Sequence, residues 1–554
     1  MKLHIRTALA LTASLIAGAP AFAQDKSAEI DKIFSWVTPG MPGCTVAIEH
    51  QGQVVARRAY GLADLERGVP ITPESIFDAA SVVKQFVAAA TLILVEEGKL
   101  SLTDDVRKYV PELPDYGHKI TLDQMLTHTS GIRDWTGLQR LTNGSADALT
   151  LTLRQRSLNA VPGEEWSYSN SGYVLLKEIV ARVSGMSFSE FARTRLFEPL
   201  GMKSSTYLLD MRDVVKNRAL AYEKSANGWR LDMHFGNERG GGGALLSTVD
   251  DLITWNDALT TGRLGKFITE KIQEPATLNN GRQLGYARGL YVDSYRGSRV
   301  IFHSGGSAGY GTFLARFPEH GLSLASMCNA GQIVTGGLYA RRIFDIFVPA
   351  TSTEVKPSSP AAPATIEGLD LKHRAGLFFS ERNGDPLRLN LESGRLRIQG
   401  GPLLMTLSAE RFRNSSGVLT FMSGDQFELQ FISNDQIELK SMEGATTRYR
   451  RAQMYAPSAE DLQAFAGRYQ SDEAGAFVDL VPAKEGLLGR LNDAPGAALP
   501  FRPVDRDTFQ VAGVILRFRR NGAGKVVALD YSNPLVRNLA FTRVDSSAQQ
   551  GKSR

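Results

Sequence analysis

A short segment rich in proline, serine and alanine separates two parts of the chain that have different patterns. Residues 351–365 read TSTEVKPSSPAAPAT, a composition typical of an extended linker. Residues 24–350 mix helical and strand-like patterns, whereas residues 366–546 show short alternating runs such as QFELQFI. A chain of 554 residues is too long for one core. We therefore expect an α+β domain followed by a separate antiparallel β region.

The β region contains an internal repeat. LKHRAGLFFS, which starts at Leu371, aligns with LQAFAGRYQS, which starts at Leu462, and RFRNSSGVLTF aligns with TFQVAGVILRF further on. Each copy has room for roughly eight short strands, and closing them into a barrel removes exposed edges. We predict two antiparallel β-barrels at 366–456 and 457–546, followed by a disordered tail at 547–554.

The N-terminus has the pattern of a secretory signal peptide. Lys2 and Arg6 precede an apolar run at 8–17, and an Ala-Phe-Ala string ends at Ala23. This order predicts cleavage after Ala23, so residues 1–23 are expected to be removed. The apolar run is too short to favour the alternative, an anchoring transmembrane helix. We expect a periplasmic or secreted bacterial protein with no stable membrane anchor.

The charge pattern gives no reason to expect a nucleic-acid partner. The net charge is +5, but the basic residues are not gathered into a run, and no RNA-binding signature is present. The 8 histidines form no H-E-x-x-H or similar pair. We therefore predict no metal site and no cofactor.

A serine and a lysine three residues apart begin a predicted helix. Ser81 and Lys84 lie in FDAASVVKQF, and the helical pattern over 85–98 ends at Gly98. Residues at this spacing share a helix face, so Lys84 Nζ is within reach of Ser81 Oγ. A serine hydroxyl needs a base to become a good nucleophile, and lysine serves only when its pKa is lowered. A serine and a lysine at this spacing also occur by chance in a long chain, so the pair alone does not establish a catalytic site.

Two further strings supply partners for such a pair. PGEEWSYSNSGY contains Tyr168, a proton carrier if Lys84 lowers its pKa, and Asn170, whose amide is suited to bond Lys84 and a substrate carbonyl. FHSGGSAGYG contains His303 and Gly305; the glycine leaves room for substrate backbone beside an edge strand. Each string alone is a weak signal.

Taken in order and spacing, the three strings resemble the penicillin-recognising serine hydrolases. This family includes class C β-lactamases, D-Ala-D-Ala carboxypeptidases, D-aminopeptidases and related esterases. LTHTSGI at 126–132 and GGGGALLSTVDDL at 240–252 match further sequence features of the family. The resemblance covers about residues 35–348. It implies an α/β-sandwich with helices flanking an antiparallel sheet and an all-helical subdomain. The appended barrels are similar to the layout of bacterial D-aminopeptidases, in which a barrel loop reaches the active-site mouth.

The resemblance also implies a role for each motif residue. Ser81 attacks a carbonyl and is acylated, Lys84 and Tyr168 share the general-base and general-acid roles, and water releases the acyl group. Which of those two residues takes the first proton stays open. The N–H groups of Ser81 and Gly306 would form the oxyanion hole. The residues expected to position the substrate are Asn170, His303 and Gly305.

Histidine at position 303 is a departure from the class C β-lactamases, which carry lysine there. An unperturbed imidazole is largely neutral at pH 7, so a charged clamp on a substrate carboxylate would be weak. The carboxypeptidase and D-aminopeptidase branches are the more similar in this respect. His128, in LTHTSGI, is expected to be a structural loop residue.

We therefore expect an exported serine hydrolase that acts on small peptides or amides containing D-amino acids, including peptidoglycan-derived peptides. The alternatives are a D-Ala-D-Ala carboxypeptidase, or a small-ester esterase with weak β-lactamase activity. Two non-enzyme alternatives remain: a slowly deacylating penicillin-binding sensor, and a cell-wall-binding module in which the β-barrels are the functional part. The oligomeric state is not predicted.

The only cysteines are Cys44 and Cys328. In the fold that the resemblance implies, the first strand lies antiparallel beside the last, which brings the two cysteines near each other. Export permits a disulfide, but bonds between adjacent strands are usually strained, so we expect two free thiols.

Overall fold

The computed structural model describes most of the chain. The described residues are 22–139, 141–142, 146–210, 212–233, 244–331, 336–348, 370–381, 384–399, 403–414, 427–441, 446–452, 455–492 and 498–544. The predicted linker at 351–365, the predicted tail at 547–554 and all but the last two residues of the predicted signal peptide lie outside these ranges.

An antiparallel sheet forms the centre of the N-terminal domain. The strands of this domain are β1 (Cys44–His50), β2 (Gln53–Tyr60), β3 (Leu62–Asp64), β4 (Val69–Pro70), β5 (Phe77–Asp78), β6 (Thr206–Leu208), β7 (Tyr222–Ser225), β8 (Gly228–Leu231), β9 (Ala244–Ser247), β10 (Tyr291–Tyr295), β11 (Ser298–Ser307), β12 (Tyr310–Phe317) and β13 (Leu322–Cys328). Six of them form the sheet in the order β10-β11-β12-β13-β1-β2. The first and last strands of the domain are therefore neighbours.

Helices cover both faces of this sheet. They are α1 (Phe22–Ile33), α2 (Val83–Glu96), α3 (Leu122–Leu126), α4 (Trp135–Gln139), α5 (Ala148–Leu153), α6 (Asn170–Ser184), α7 (Phe188–Ala192), α8 (Glu198–Leu200), α9 (Val249–Thr261), α10 (Lys266–Ile272) and α11 (Gly336–Phe347). One core packs α1 and α11 against the sheet, and a larger core packs α2, α6 and α9 on the other face. The α/β-sandwich predicted from the sequence is confirmed.

Local sequence explains where several of these elements end. The β1–β2 hairpin turns at Gln51 and Gly52, which have φ of +56° and +75°, the left-handed pair that a two-residue hairpin requires. Helix α6 ends at Gly185, whose φ of +72° a side chain would disfavour.

Two eight-stranded antiparallel barrels follow, as predicted. Barrel 1 consists of β14 (Gly376–Ser380), β15 (Pro386–Glu392), β16 (Arg395–Ile398), β17 (Leu404–Thr406), β18 (Arg411–Asn414), β19 (Phe427–Phe431), β20 (Gln436–Ser441) and β21 (Thr446–Arg451). Barrel 2 consists of β22 (Gly467–Ser471), β23 (Ala476–Ala483), β24 (Gly486–Leu491), β25 (Leu499–Asp505), β26 (Thr508–Val511), β27 (Val514–Arg520), β28 (Val526–Asn533) and β29 (Val536–Arg543), preceded by α12 (Ala459–Phe465). Barrel 2 is closed, and among the described residues of barrel 1 a bridge between Arg397 and Leu403 joins the two edge strands.

The internal repeat falls on equivalent strands of the two barrels. The first aligned pair of strings forms β14 and β22, the first strand of each barrel. Gly376 and Gly467 occupy the same position in these strands, and each lies against an arginine of the last strand, Arg451 or Arg543. The strings that start at 411 and 508 begin the fifth strand of each barrel, and residues 415–421 of the first lie outside the described part of the chain.

The two cysteines are bonded. Cys44 of β1 and Cys328 of β13 face each other in the strand register, and a disulfide joins them. The expectation of proximity is confirmed, and the expectation of free thiols is wrong. In the part of the chain that the structure describes, no helix is long and apolar enough to cross a membrane.

Candidate active site

Ser81 lies in a 3₁₀ turn, Ala80–Val82, that leads directly into α2. Ala80 has a φ of +47°, a left-handed conformation that costs a residue with a side chain on the order of 1–3 kcal/mol. The carboxylate of Asp78 stabilises this turn, because its Oδ1 accepts a 2.7 Å hydrogen bond from the N–H of Ala80. The Ser81 side chain is thereby held half-exposed at the start of the helix.

Two side chains converge on the Ser81 hydroxyl. Lys84 Nζ lies 3.1 Å from Ser81 Oγ, and the Tyr168 hydroxyl donates to the same oxygen at 2.9 Å. Lys84 is buried, and desolvation lowers the pKa of its ammonium to about 7, against the opposing attraction of Asp134. A substantial fraction of Lys84 is therefore neutral near pH 7, the state in which it can accept a proton.

The phenol of Tyr168 differs from the expectation. Burial raises its pKa well above 10, and the nearby Tyr291 adds to the effect. The condition for a proton carrier, a pKa lowered by Lys84, is therefore not met, because the loss of water has the largest effect on this phenol. Tyr168 remains protonated at neutral pH and is suited to donate a hydrogen bond or a proton.

Asn170 is held between Lys84 and an aspartate. Its Oδ1 accepts from Lys84 Nζ at 2.8 Å, and its Nδ2 donates to Asp134 Oδ2 at 2.8 Å. The backbone N–H of Asn170 donates to the same carboxylate oxygen at 3.0 Å. Since a carboxylate only accepts, these bonds fix the orientation of the amide, with its oxygen toward Lys84.

His303 lies in β11 on the other side of the site and is buried. Its Nδ1 lies 2.6 Å from the carbonyl oxygen of Ser304, so Nδ1 carries the proton, and Nε2 accepts from the Tyr286 hydroxyl at 3.1 Å. Burial and the positive charge of Lys84 lower the imidazole pKa to about 3. His303 is therefore neutral across the physiological range.

The backbone of β11 runs against the turn that carries Ser81. A Cβ atom placed on Gly305 would lie 2.4 Å from the carbonyl oxygen of Ala79, so only glycine permits this approach. Gly306 follows in the strand, pairs with Gly311 of β12, and is exposed. Gly306 therefore lies close to Ser81 in the fold, as an oxyanion hole shared by the two residues requires.

Several residues at the site were not anticipated from the sequence. Asp134 and Arg133 are both 1% exposed, and Asp134 contacts Asn170 directly. An aromatic group surrounds His128, and its members are Trp166, Tyr168, Tyr173 and Tyr286. Asp134 lies two residues beyond the LTHTSGI string, and a charged residue there looks like part of an exposed loop.

Comparisons with known proteins show the family of this chain. The Beta-lactamase family model matches residues 21–345. The chain is 30% identical over 315 residues to penicillin-binding protein 4* of Bacillus subtilis, which covers 51% of this chain and 67% of the relative. It is 25% identical over 527 residues to the D-aminopeptidase of Brucella anthropi, which covers 91% of this chain and 95% of the relative.

A solved structure shows the same fold. The octameric penicillin-binding protein homologue from Pyrococcus abyssi matches with a TM-score of 0.52 and 24% identity, over 78% of this chain and 98% of that one. The family model alone spans more than half of the sequence. This protein is a serine hydrolase of the beta-lactamase family.

Proposed function

We propose that the protein is an exported hydrolase that cleaves small peptides or amides containing D-amino acids through an acyl-enzyme on Ser81. The observation that carries the proposal is the convergence of Lys84 Nζ and the Tyr168 hydroxyl on Ser81 Oγ, at 3.1 and 2.9 Å. Both contacts fit the activation of a serine nucleophile.

The two partners differ in their proton affinity, and this supports separate roles. Neutral Lys84 takes the Ser81 proton while Oγ forms a bond to the substrate carbonyl carbon. The N–H groups of Ser81 and Gly306 bind the resulting oxyanion. Burial raises the pKa of Tyr168, so this residue is protonated and gives its proton to the leaving amine as the C–N bond breaks. Lys84 then returns the proton that it took from Ser81 to the Tyr168 phenolate. Water then attacks the acyl group by the reverse path and frees Ser81.

The lack of a positive charge on His303 favours amide substrates over substrates with a free carboxylate. A neutral imidazole with both nitrogens engaged provides hydrogen bonding and shape but no positive charge. The similarity to a D-aminopeptidase along nearly the whole chain, barrels included, supports the same substrate class.

Hydrolysis of p-nitroanilides tests this proposal. Purified full-length protein should release p-nitroaniline from D-alanine p-nitroanilide and much less from the L-enantiomer, and Ser81→Ala should abolish release. KM should stay flat from pH 5.5 to 8, because His303 does not change charge in that range. Equal rates with both enantiomers, or activity in Ser81→Ala, would contradict the proposal.

A second candidate is a penicillin-binding protein that deacylates slowly, which the 30% identity to penicillin-binding protein 4* favours. Intact mass spectrometry after incubation with a fluorescent penicillin separates the two functions. A persistent adduct, lost in Ser81→Ala, together with no p-nitroanilide turnover, would establish this second function instead.

The signal-peptide pattern of residues 1–23 supports the proposed export, which has its own test. The mature protein, purified from the periplasm or the medium of an expressing bacterium, should begin at Gln24 by mass. Recovery of the uncleaved chain in the cytoplasm would contradict export.

A further inference from the structure

The active-site residue Asp134 follows directly after an arginine that is held by barrel 2. Arg133 is buried, and its Nη1 donates to Glu473 Oε1 at 2.6 Å. Its Nη2 donates to the carbonyl oxygens of Arg537 and Asn538, at 2.6 and 3.1 Å. Glu473 is itself only 7% exposed, so this ion pair is shielded from water on both sides.

The β28–β29 hairpin of barrel 2 touches the same stretch of chain, residues 133–137. The N–H of Asp134 donates to the carbonyl of Leu535 at 3.4 Å, and Asn533 Nδ2 donates to the carbonyl of Gly137 at 3.1 Å. The approach is close, since a Cβ on Gly137 would lie 2.7 Å from Val536 Cγ2. The backbone of the 133–137 segment is therefore fixed by barrel 2.

Apolar contacts also join barrel 2 to the helical region of the N-terminal domain. One hydrophobic cluster contains the interior of barrel 2 together with residues of the helical region that adjoin the site. The residues contributed by the helical region are Trp135, Leu138, Leu141, Ala146, Ala148, Leu151 and Val174. Val174 belongs to α6, the helix that begins at Asn170.

On its other side, the 133–137 segment holds the reacting groups. Asp134 Oδ2 accepts both bonds from Asn170, and Asp134 Oδ1 accepts from the N–H and hydroxyl of Thr136 at 2.9 and 2.8 Å. Asn170 in turn bonds Lys84 Nζ. A continuous series of short contacts thus runs from Glu473 of barrel 2 to the lysine beside Ser81.

We infer that barrel 2 is a positioning element of the hydrolase site, in which Glu473 and the β28–β29 hairpin hold Arg133 so that Asp134 stays on Asn170 and beside Lys84. The inference rests on the proposed function, since it assigns Lys84 and Asn170 to the reaction. Asp134 and Glu473 are positioning residues, because neither contacts Ser81. Loss of the Arg133 anchor would let Asp134 move, with two consequences: Asn170 loses its fixed orientation, and Lys84 loses a nearby negative charge.

The test uses the full chain and two readouts. The first is the titration of Lys84, followed by ¹³C NMR of ε-labelled lysine, with the Lys84 signal assigned by its loss in Lys84→Met. The second is kcat for D-alanine p-nitroanilide, measured at a pH above the titration of Lys84. The variants are Glu473→Ala, Glu473→Gln, which keeps an acceptor for Arg133, and Asp134→Asn. Asn492→Gly is the matched control, because Asn492 also joins barrel 2 to the N-terminal domain but bonds Leu141 instead.

Glu473→Ala and Asp134→Asn should each move the Lys84 titration to lower pH, because the Asp134 charge raises the lysine pKa. Both should lower kcat by about 10- to 100-fold, as small misplacements of catalytic groups do. Glu473→Gln should show a smaller change, and the double variant Glu473→Ala/Asp134→Asn should be no worse than Asp134→Asn alone.

An unchanged Lys84 titration and kcat in folded Glu473→Ala would overturn the inference. An equal effect of Asn492→Gly would also overturn it, because the cause would then be a general loosening of the domain contact. If Glu473→Ala fails to fold, Glu473→Gln decides by the same two readouts. If the wild-type protein cleaves no substrate, the proposed function fails, whereas the Lys84 titration still decides the positioning role.

Discussion

The imidazole of His128 lies against the ring of Tyr168, with centroids 4.2 Å apart and planes inclined by 35°. His128 also bonds the chain on both sides of that tyrosine. Its carbonyl accepts from the N–H of Ser167 at 2.8 Å, and its Nδ1 accepts from the N–H of Ser169 at 3.0 Å. One residue therefore fixes both the ring and the backbone of Tyr168. The structural role predicted for His128 is to hold this tyrosine in place.

Replacement of His128 by alanine should slow the reaction more than it weakens binding. The change removes the ring beside Tyr168 and leaves the buried N–H of Ser169 without its acceptor, at a cost of about 1–3 kcal/mol. We expect kcat to fall about tenfold or more with little change in KM, because Tyr168 is the proposed proton donor to the reacting atoms. Steady-state kinetics on D-alanine p-nitroanilide measure both constants.

Two control variants distinguish a displaced Tyr168 from a general loss of protein stability. His118→Ala changes an exposed histidine and should leave kcat unaltered. His128→Asn keeps an acceptor, and asparagine tolerates the positive φ of +58° at this position, so it should retain more activity than His128→Ala. A folded His128→Ala protein with wild-type kcat would show that Tyr168 needs no such support.

The pH dependence of kcat/KM should report the protonation of Lys84. Burial lowers its pKa to about 7, and only the neutral amine accepts the Ser81 proton, so the rate should rise through about pH 7 and then level off. The phenol of Tyr168 stays protonated across this range because its pKa is raised. A profile from pH 5.5 to 9 would show the rise, and Lys84→Arg should remove it together with the activity. A falling or flat profile would exclude Lys84 as the base.

The sequence predicted those features that depend on local pattern. The helix that follows Ser81 and the eight strands of each barrel follow from the periodicity of the apolar residues and from the turn residues between them. Ser81, Lys84 and Tyr168 could be singled out because three strings, each weak alone, resemble the motifs of the penicillin-recognising serine hydrolases in their order and spacing. The structure places Lys84 Nζ and the Tyr168 hydroxyl each within hydrogen-bonding distance of Ser81 Oγ.

The features that were missed depend on contacts between distant parts of the chain. Arg133 and Asp134 look like a solvated charged pair, but both are buried against barrel 2. Glu473, 340 residues away, pairs with Arg133, and the carbonyl of Leu535 accepts from the N–H of Asp134. The raised pKa of Tyr168 could not be predicted for the same reason. Proximity to a cation can be inferred from a motif, whereas the loss of water depends on everything that packs around the ring.

Alanine at position 305 should impair catalysis without unfolding the domain. The added methyl group would lie 2.4 Å from the Ala79 carbonyl, so strand β11 must move away from the turn that carries Ser81. We expect kcat/KM to fall by about 100-fold, since the proposed oxyanion hole lies between these two elements. Gly285→Ala is the matched control, because a Cβ there meets Val292 O at an ordinary 3.5 Å. Equal activity of the two variants would show that β11 can shift without cost.

The disulfide should stabilise the N-terminal domain. It joins the first and last strands of the sheet, which are 284 residues apart in the chain, and so restricts the unfolded state. We expect Cys44→Ala/Cys328→Ala to lower the free energy of unfolding by about 2–4 kcal/mol. All five tryptophans lie before residue 256, and Trp135 packs in the cluster shared with barrel 2, so intrinsic fluorescence in urea follows this domain and its contact with barrel 2. Reductant should destabilise the wild type to the same extent and leave the double variant unchanged. Two titratable thiols in unreduced, denatured wild-type protein would contradict the bond itself.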